Sequence, residues 1–236
     1  MKKPNRGWLA LATAVAMVLV PSCDSDKKVT DVPVDQAVEA GLDAALETTV
    51  VPLFTFFGAI GDLLAPPRVQ GASRGVFACP NTSGWCSSGT VTCSVAGSAL
   101  AFDWDECVVV TGDDPLLLDG NLDAVPTDPI GLTLTGLFIN NNPAITGTGT
   151  IDTSACDYFV DVQTAGAAVN GLVTFCDTDP YPTGDSLVIA FDDFLVTVLF
   201  DGTNVAHATA TLSGSPVADC TIDLDADPLT SSCDAS

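Results

Sequence analysis

The spacing of apolar and polar positions changes character several times along the chain. Behind Lys2, Lys3 and Arg6, Trp8 to Val20 form an apolar run of the length of an export signal's hydrophobic region, short of the ~20 residues needed to cross a bilayer. Residues 24–34 are polar and aperiodic, which predicts a tether. From Asp35 onward, Val38, Leu42, Ala45 and Leu46 recur at intervals of three and four, while Asp35, Glu39, Asp43 and Glu47 take the opposite face. That periodicity predicts an amphipathic helix with a solvated acidic side. Pro52 is expected to interrupt it, because proline lacks the backbone N–H and crowds the preceding turn. Leu53 to Leu64, apolar on nearly every side before Pro66-Pro67, then predicts a short helix buried against a sheet. Asp62 and the shortness of this segment argue against a membrane span.

From Gly75 the texture is that of strands and turns. Thr90–Thr92, Leu100–Trp104, Val108–Val110, Leu132–Thr135 and Leu187–Phe191 are β-branched, aromatic or alternating, and the stretches at Gly112–Pro115, Asn140–Pro143, Asp179–Pro182 and Asp201-Gly202 punctuate them. Short strands with such spacers predict a mainly β fold: an antiparallel sheet with the N-terminal helical segment packed on it. The alternative is a two-sheet sandwich with the helical segment outside. A weak internal echo suggests a duplicated unit. Gly89–Thr92 then Ala101–Trp104 recur as Gly171–Thr174 then Ala190–Asp193, and Thr148–Ile151 before Cys156 is echoed by Thr209–Leu212 before Cys220. An extra hairpin near Leu116–Ala124 would account for the longer first copy. The organisation expected is a signal peptide over 1–22, a tether over 23–34, a helical segment over 35–67 and an acidic, disulfide-rich β domain over 75–236.

The leader closes with Val20-Pro21-Ser22-Cys23. Val20 three residues before a cysteine, with small Ser22 directly before it, resembles the lipobox of bacterial lipoproteins. Pro21 departs from the usual residue at its place, and the resemblance covers residues 1–23 alone. It implies diacylglyceryl transfer to the Cys23 sulfur, cleavage before Cys23, and a protein held by lipid to a membrane of the bacterial cell envelope, periplasmic or at the cell surface. Asp24 resembles the inner-membrane retention signal of enteric bacteria.

Assigning Cys23 to lipid leaves Cys79, Cys86, Cys93, Cys107, Cys156, Cys176, Cys220 and Cys233, an even set that reads as four disulfides in an exported protein. The spacings lack the short pairs of zinc sites. A hairpin turn at Ala96-Gly97 would place Cys86 opposite Cys107, and one centred on Gly166 would place Cys156 opposite Cys176. Elimination then pairs Cys79 with Cys93 and Cys220 with Cys233.

Charge narrows the partners. Residues 75–236 carry 21 Asp and one Glu against no Lys or Arg. Such a surface repels phosphate backbones and anionic headgroups, so nucleic acid is excluded, whereas cations and basic proteins are favoured. With no internal cation to offset repulsion, stability is expected to rise with salt or Ca²⁺. Asp223, Asp225 and Asp227 are the candidate Ca²⁺ ligands, since alternating carboxylates suit a hard cation when the chain curls. They resemble the opening of an EF-hand loop, but Pro228 stands where that loop needs glycine.

Catalytic signatures are sparse. His207 is the single histidine, and no Gly-x-Ser-x-Gly elbow accompanies it. Asp103, Asp105 and Glu106 surround Trp104, a pattern a glycan-active hydrolase could use, but strand alternation would bury Trp104 beneath exposed acids. Three readings of function follow. The first is an envelope lipoprotein with a non-catalytic structural or binding role. The second is a carrier or sensor of apolar ligands, in which Phe54, Phe56 and Phe57 line a groove between sheet and helix. The third is a hydrolase using paired acids.

Overall fold

A computed structural model of the chain describes residues 32–64, 78–111, 114–176 and 181–236. The signal peptide, Cys23 and nearly all of the tether lie outside the described residues. The fold begins with α1 (Val34–Ala45), passes through a π turn (Leu46–Val50) and continues as α2 (Val51–Leu64). Helix therefore runs through Pro52 instead of stopping there. The π turn explains how: the Val51 N–H bonds to the Leu46 carbonyl five residues back, and this local widening absorbs a residue that would crowd a regular α-helix. Val34–Gly61 is 28 residues long with mean hydropathy 1.5, enough to cross a bilayer by length and composition, yet 61% of its apolar window is buried inside the fold, as in a core helix.

Twelve strands follow: β1 (Cys86–Ala96), β2 (Ala99–Thr111), β3 (Asp114–Val125), β4 (Ile130–Ile139), β5 (Ile145–Asp152), β6 (Asp157–Gln163), β7 (Ala168–Thr174), β8 (Thr183–Phe191), β9 (Phe194–Asp201), β10 (Val205–Leu212), β11 (Ser215–Asp223) and β12 (Thr230–Ala235). Among the described residues they form one antiparallel meander in which each strand pairs with its sequence neighbours, β1 at one edge and β12 at the other. The expected antiparallel sheet with a packed helix is what the chain forms, and the strands make one sheet, not two stacked ones. Leu100–Trp104 and Val108–Val110 belong to a single strand bent by a bulge, where Glu106 has φ 46°.

The echoed segments fall on β1 and β7, and on β2 and β8, but the third pair falls on β5 and β10. In a meander those two strands run in opposite directions, so the third echo is not a structural equivalence. The region Leu116–Ala124 is one strand, β3, where an extra hairpin was expected.

Inward side chains of the sheet and the buried stripe of the helix form one cluster, from Val38 and Leu42 through Phe56, Phe57 and Ile60 to Ile222 and Leu224. Alternation is regular on the later strands, with Ala206, Ala208 and Ala210 inward on β10 and Ala218, Cys220 and Ile222 inward on β11. Small residues let the helix approach closely. The Phe191 ring lies where a side chain on Gly41 would project, and the Phe57 ring lies over Gly149. α1 packs on β8, β11 and β12, and α2 on β4.

The predicted solvated face of α1 is only partly solvated. Asp43 Oδ1 accepts hydrogen bonds from the Ser231 N–H and hydroxyl at 2.7 Å each, and Glu39 Oε2 accepts one from the Cys233 N–H at 3.1 Å. These carboxylates cap backbone donors that β12, as an edge strand, turns away from β11.

Four disulfides are present: Cys79–Cys93, Cys86–Cys107, Cys156–Cys176 and Cys220–Cys233. The pairings are those expected, but two registers differ. The first hairpin turns at Gly97-Ser98, with Ala96 opposite Ala99, so Cys86 faces Val109 and reaches Cys107 diagonally. In the second, Gln163 faces Ala168, and Cys156, at φ 60°, accepts a hydrogen bond from the Phe175 N–H beside its partner Cys176. Only Cys220 and Cys233 are direct cross-strand partners, with Cα atoms 4.1 Å apart.

Candidate apolar binding site

One stripe of the helix is not packed tight. Leu46, Val50, Phe54 and Gly58, an i to i+4 row, border a cavity of about 300 Å³, together with Val51 and Thr55 from the adjoining row. Opposite them the sheet contributes Leu187 from β8, Val198 and Phe200 from β9, and Ile222 from β11. Tyr158, Val173, Phe175 and Pro182 border one side, and Leu224 and Leu229 the end near the β11–β12 turn. No lining residue is charged. The Thr55 hydroxyl donates to the Val51 carbonyl at 2.8 Å, so it is satisfied within the helix. Phe54 meets the Tyr158 ring edge-on at 6.4 Å, and Phe175 stands 39% exposed. At Gly58 an added Cβ would meet nothing within 4 Å. Volume and lining match what a small apolar ligand needs, at the lower end of ligand-site sizes.

Of the three phenylalanines expected to line a groove, Phe54 does. Phe56 and Phe57 are fully buried in the core instead, Phe57 against Gly149, because they project from other faces of α2. The remaining lining residues of the helix were missed. Their signal was the i+4 row Leu46, Val50, Phe54, Gly58, which a segment apolar on all sides conceals.

The acidic candidates do not assemble a cation cage. Among the described residues no group of three or more His, Cys, Asp or Glu is placed to hold a metal ion. Asp223 ends β11, Asp225 and Asp227 lie on the turn after it, and all three are exposed. Asp225 acts as a clamp: its two oxygens accept from the Tyr181 hydroxyl at 2.7 Å and the Asn204 side-chain amide at 3.0 Å, while its own N–H donates to Asp223. The hydrogen bond to Asp225, with smaller contributions from burial and the neighbouring carboxylates, raises the Tyr181 phenol above its ordinary range. Asp201, at the same end of the sheet, is lowered by the Thr203 hydroxyl and N–H and by nearby His207. His207 is exposed on β10.

Asp103, Asp105 and Glu106 are exposed, and Trp104 is buried on the other face of β2, stacked with Trp85 and Phe102 at 6.1 Å. That indole has no free face beside the acids to hold a sugar.

No family model, curated protein or solved structure matches this chain.

Proposed function

We propose that this chain is a lipid-anchored protein of the bacterial cell envelope that works by binding, not by catalysis, and holds an apolar ligand between its helix and its sheet. The supporting observation is the cavity of about 300 Å³ bordered by Leu46, Val50, Phe54 and Gly58 and free of charged side chains. Such a lining gives an apolar ligand burial, and its polar side chains are the Thr55 hydroxyl, bonded within the helix, and the Tyr158 phenol, with no charged group beside them. The export signal, the lipobox-like Cys23 and four disulfides fit an oxidising compartment outside the cytoplasm. Between a structural and a binding role, the cavity favours binding.

The test uses the full chain carrying Cys23→Ser, exported and purified without detergent, titrated with a neutral naphthylamine fluorophore. Saturable enhancement with one probe per chain is expected. Gly58→Leu fills open space and adds about 1 kcal/mol of helix propensity, so it should keep or raise the melting temperature while weakening probe binding about tenfold or more. No saturable binding, or equal binding in Gly58→Leu, overturns the proposal. Mass spectrometry of the unsubstituted protein tests the anchor, with an acylated Cys23 amino terminus as the expected species.

A further inference from the structure

The cavity is long for its volume. Its helical border runs from Leu46 through Val50 and Phe54 to Gly58, a distance of about 18 Å at about 1.5 Å per residue. Over that length the space amounts to about 300 Å³. A dry apolar cavity of about 150 Å³ accepts one benzene ring, so twice that volume accepts about twelve carbons. Strung over about 18 Å, such a number makes one extended chain. Two chains side by side, or fused rings of the same length, would need about double the space. The walls are also enclosing. Leu187, Val198, Ile222 and Leu224 are buried, and among the described lining residues only Phe175 is exposed, itself a hydrocarbon ring.

Resting on the binding role proposed above, we infer that the ligand is a single, uncharged hydrocarbon chain of about twelve carbons, of the kind found in a medium-chain alcohol, lying along the row from Leu46 to Gly58. A charged head drawn inside would find no opposite charge among the described lining residues, and an unpaired buried charge is strongly disfavoured. A hydroxyl head has a partner. The Thr55 hydroxyl donates its proton to the Val51 carbonyl, which leaves lone pairs on its oxygen to accept one from the ligand. Length is then set by the ends of the cavity. Each methylene that enters adds apolar burial, whereas each one beyond the end stays in water and adds none.

The experiment uses straight-chain alcohols from octanol to hexadecanol, each below its solubility limit, as competitors of the neutral naphthylamine probe on the full Cys23→Ser chain. Affinity is expected to rise about fourfold per methylene up to about twelve carbons and then to level off. Laurate and dodecylamine, ionised at neutral pH, are expected to bind about tenfold or more weakly than dodecanol. Two variants separate the cavity wall from general loosening of the fold. Leu229→Ala shortens a half-buried lining residue at one end of the cavity and should move the break upward by about three carbons. Ile60→Val trims the packed stripe of the same helix and should lower the melting temperature while leaving the break in place. Melting curves confirm that each variant is folded. An even rise through hexadecanol, or a break that Leu229→Ala leaves unmoved, overturns the single-chain assignment; laurate or dodecylamine matching dodecanol overturns the uncharged head. Each of those results leaves the cavity reading standing. Failure of every alcohol to displace a bound probe overturns the cavity reading itself.

Discussion

Replacing Asp43 with alanine tests how the helix is fastened to the edge of the sheet. Asp43 Oδ1 accepts two hydrogen bonds of 2.7 Å from Ser231, a residue only 9% exposed. Hydrogen bonds to a charged acceptor contribute about 1.5–3 kcal/mol each, and a buried donor left alone costs about 1–3 kcal/mol. Asp43 is half-buried, so the lower part of that range applies, and Asp43→Ala should destabilise by about 3 kcal/mol. For a domain of this size that corresponds to a fall of about 6–12 °C in melting temperature. Asp43→Asn keeps an acceptor oxygen and should lose about 1 kcal/mol. Glu47→Ala, an exposed acid on the same helix, should change stability by less than about 0.5 kcal/mol. Urea unfolding with disulfides intact gives the energies, and amide hydrogen exchange gives the site. Ser231 and Cys233 should exchange faster when Asp43 and Glu39 are both replaced, and the uncapped β12 edge should then associate at high concentration. If Asp43→Ala melts with Glu47→Ala, the carboxylate cap has no energetic role and the reasoning fails.

Three further outcomes follow from the packing. Gly149→Val would place a Cβ 2.5 Å from the Phe57 ring and 3.1 Å from the Phe159 carbonyl, so it should cost about 2–3 kcal/mol; a double-mutant cycle with Phe57→Leu should recover part of that. The Thr49 hydroxyl is buried without a hydrogen-bond partner, so Thr49→Val should raise stability by about 1 kcal/mol in the same urea assay. Tyr181 has its phenol raised by Asp225, which means the folded state favours the protonated form. Its contribution is fully present below the ordinary tyrosine range and is lost as pH rises through the raised value. Melts between about pH 9 and 12 should therefore show a steeper alkaline loss in wild type than in Tyr181→Phe.

Much of the fold was legible because the physics was local. Period-two alternation and Gly/Asn/Asp turns marked an antiparallel sheet, and the apolar Leu53–Leu64 stretch marked a buried helix. Three readings differ from the structure, two through the local backbone path and one through what lies across space. Pro52 reads as a break until a π turn is placed before it. Glu39 and Asp43 read as solvated until β12 brings unpaired N–H groups beside them. Cys86 reads as directly opposite Cys107 when the turn is set at Ala96-Gly97, and the turn lies at Gly97-Ser98, so Cys86 faces Val109. The candidate site was half legible: Phe54, Phe56 and Phe57 are close in sequence, but a helix turns each residue by about 100°, and of the three only Phe54 faces the cavity.

The empty space beside Gly58 carries a stability argument of its own. A closed, dry cavity of about 300 Å³ would cost about 7 kcal/mol by the measured dependence on volume, and partial access of solvent lowers that figure without removing it. A leucine at position 58 would occupy part of the space and improve helix propensity at once, while the opposite stripe of the same helix is packed to full burial at Leu53, Phe56 and Ile60. The two stripes thus differ in kind, one completed by the chain and one left open. A ligand that enters the open stripe supplies the missing apolar contacts only in the folded state, so saturating it must raise the melting temperature in proportion to the logarithm of its concentration over its dissociation constant. That shift, absent in Gly58→Leu, separates a binding site from a packing fault, since a fault gains from being filled by leucine but has no selective ligand to gain from.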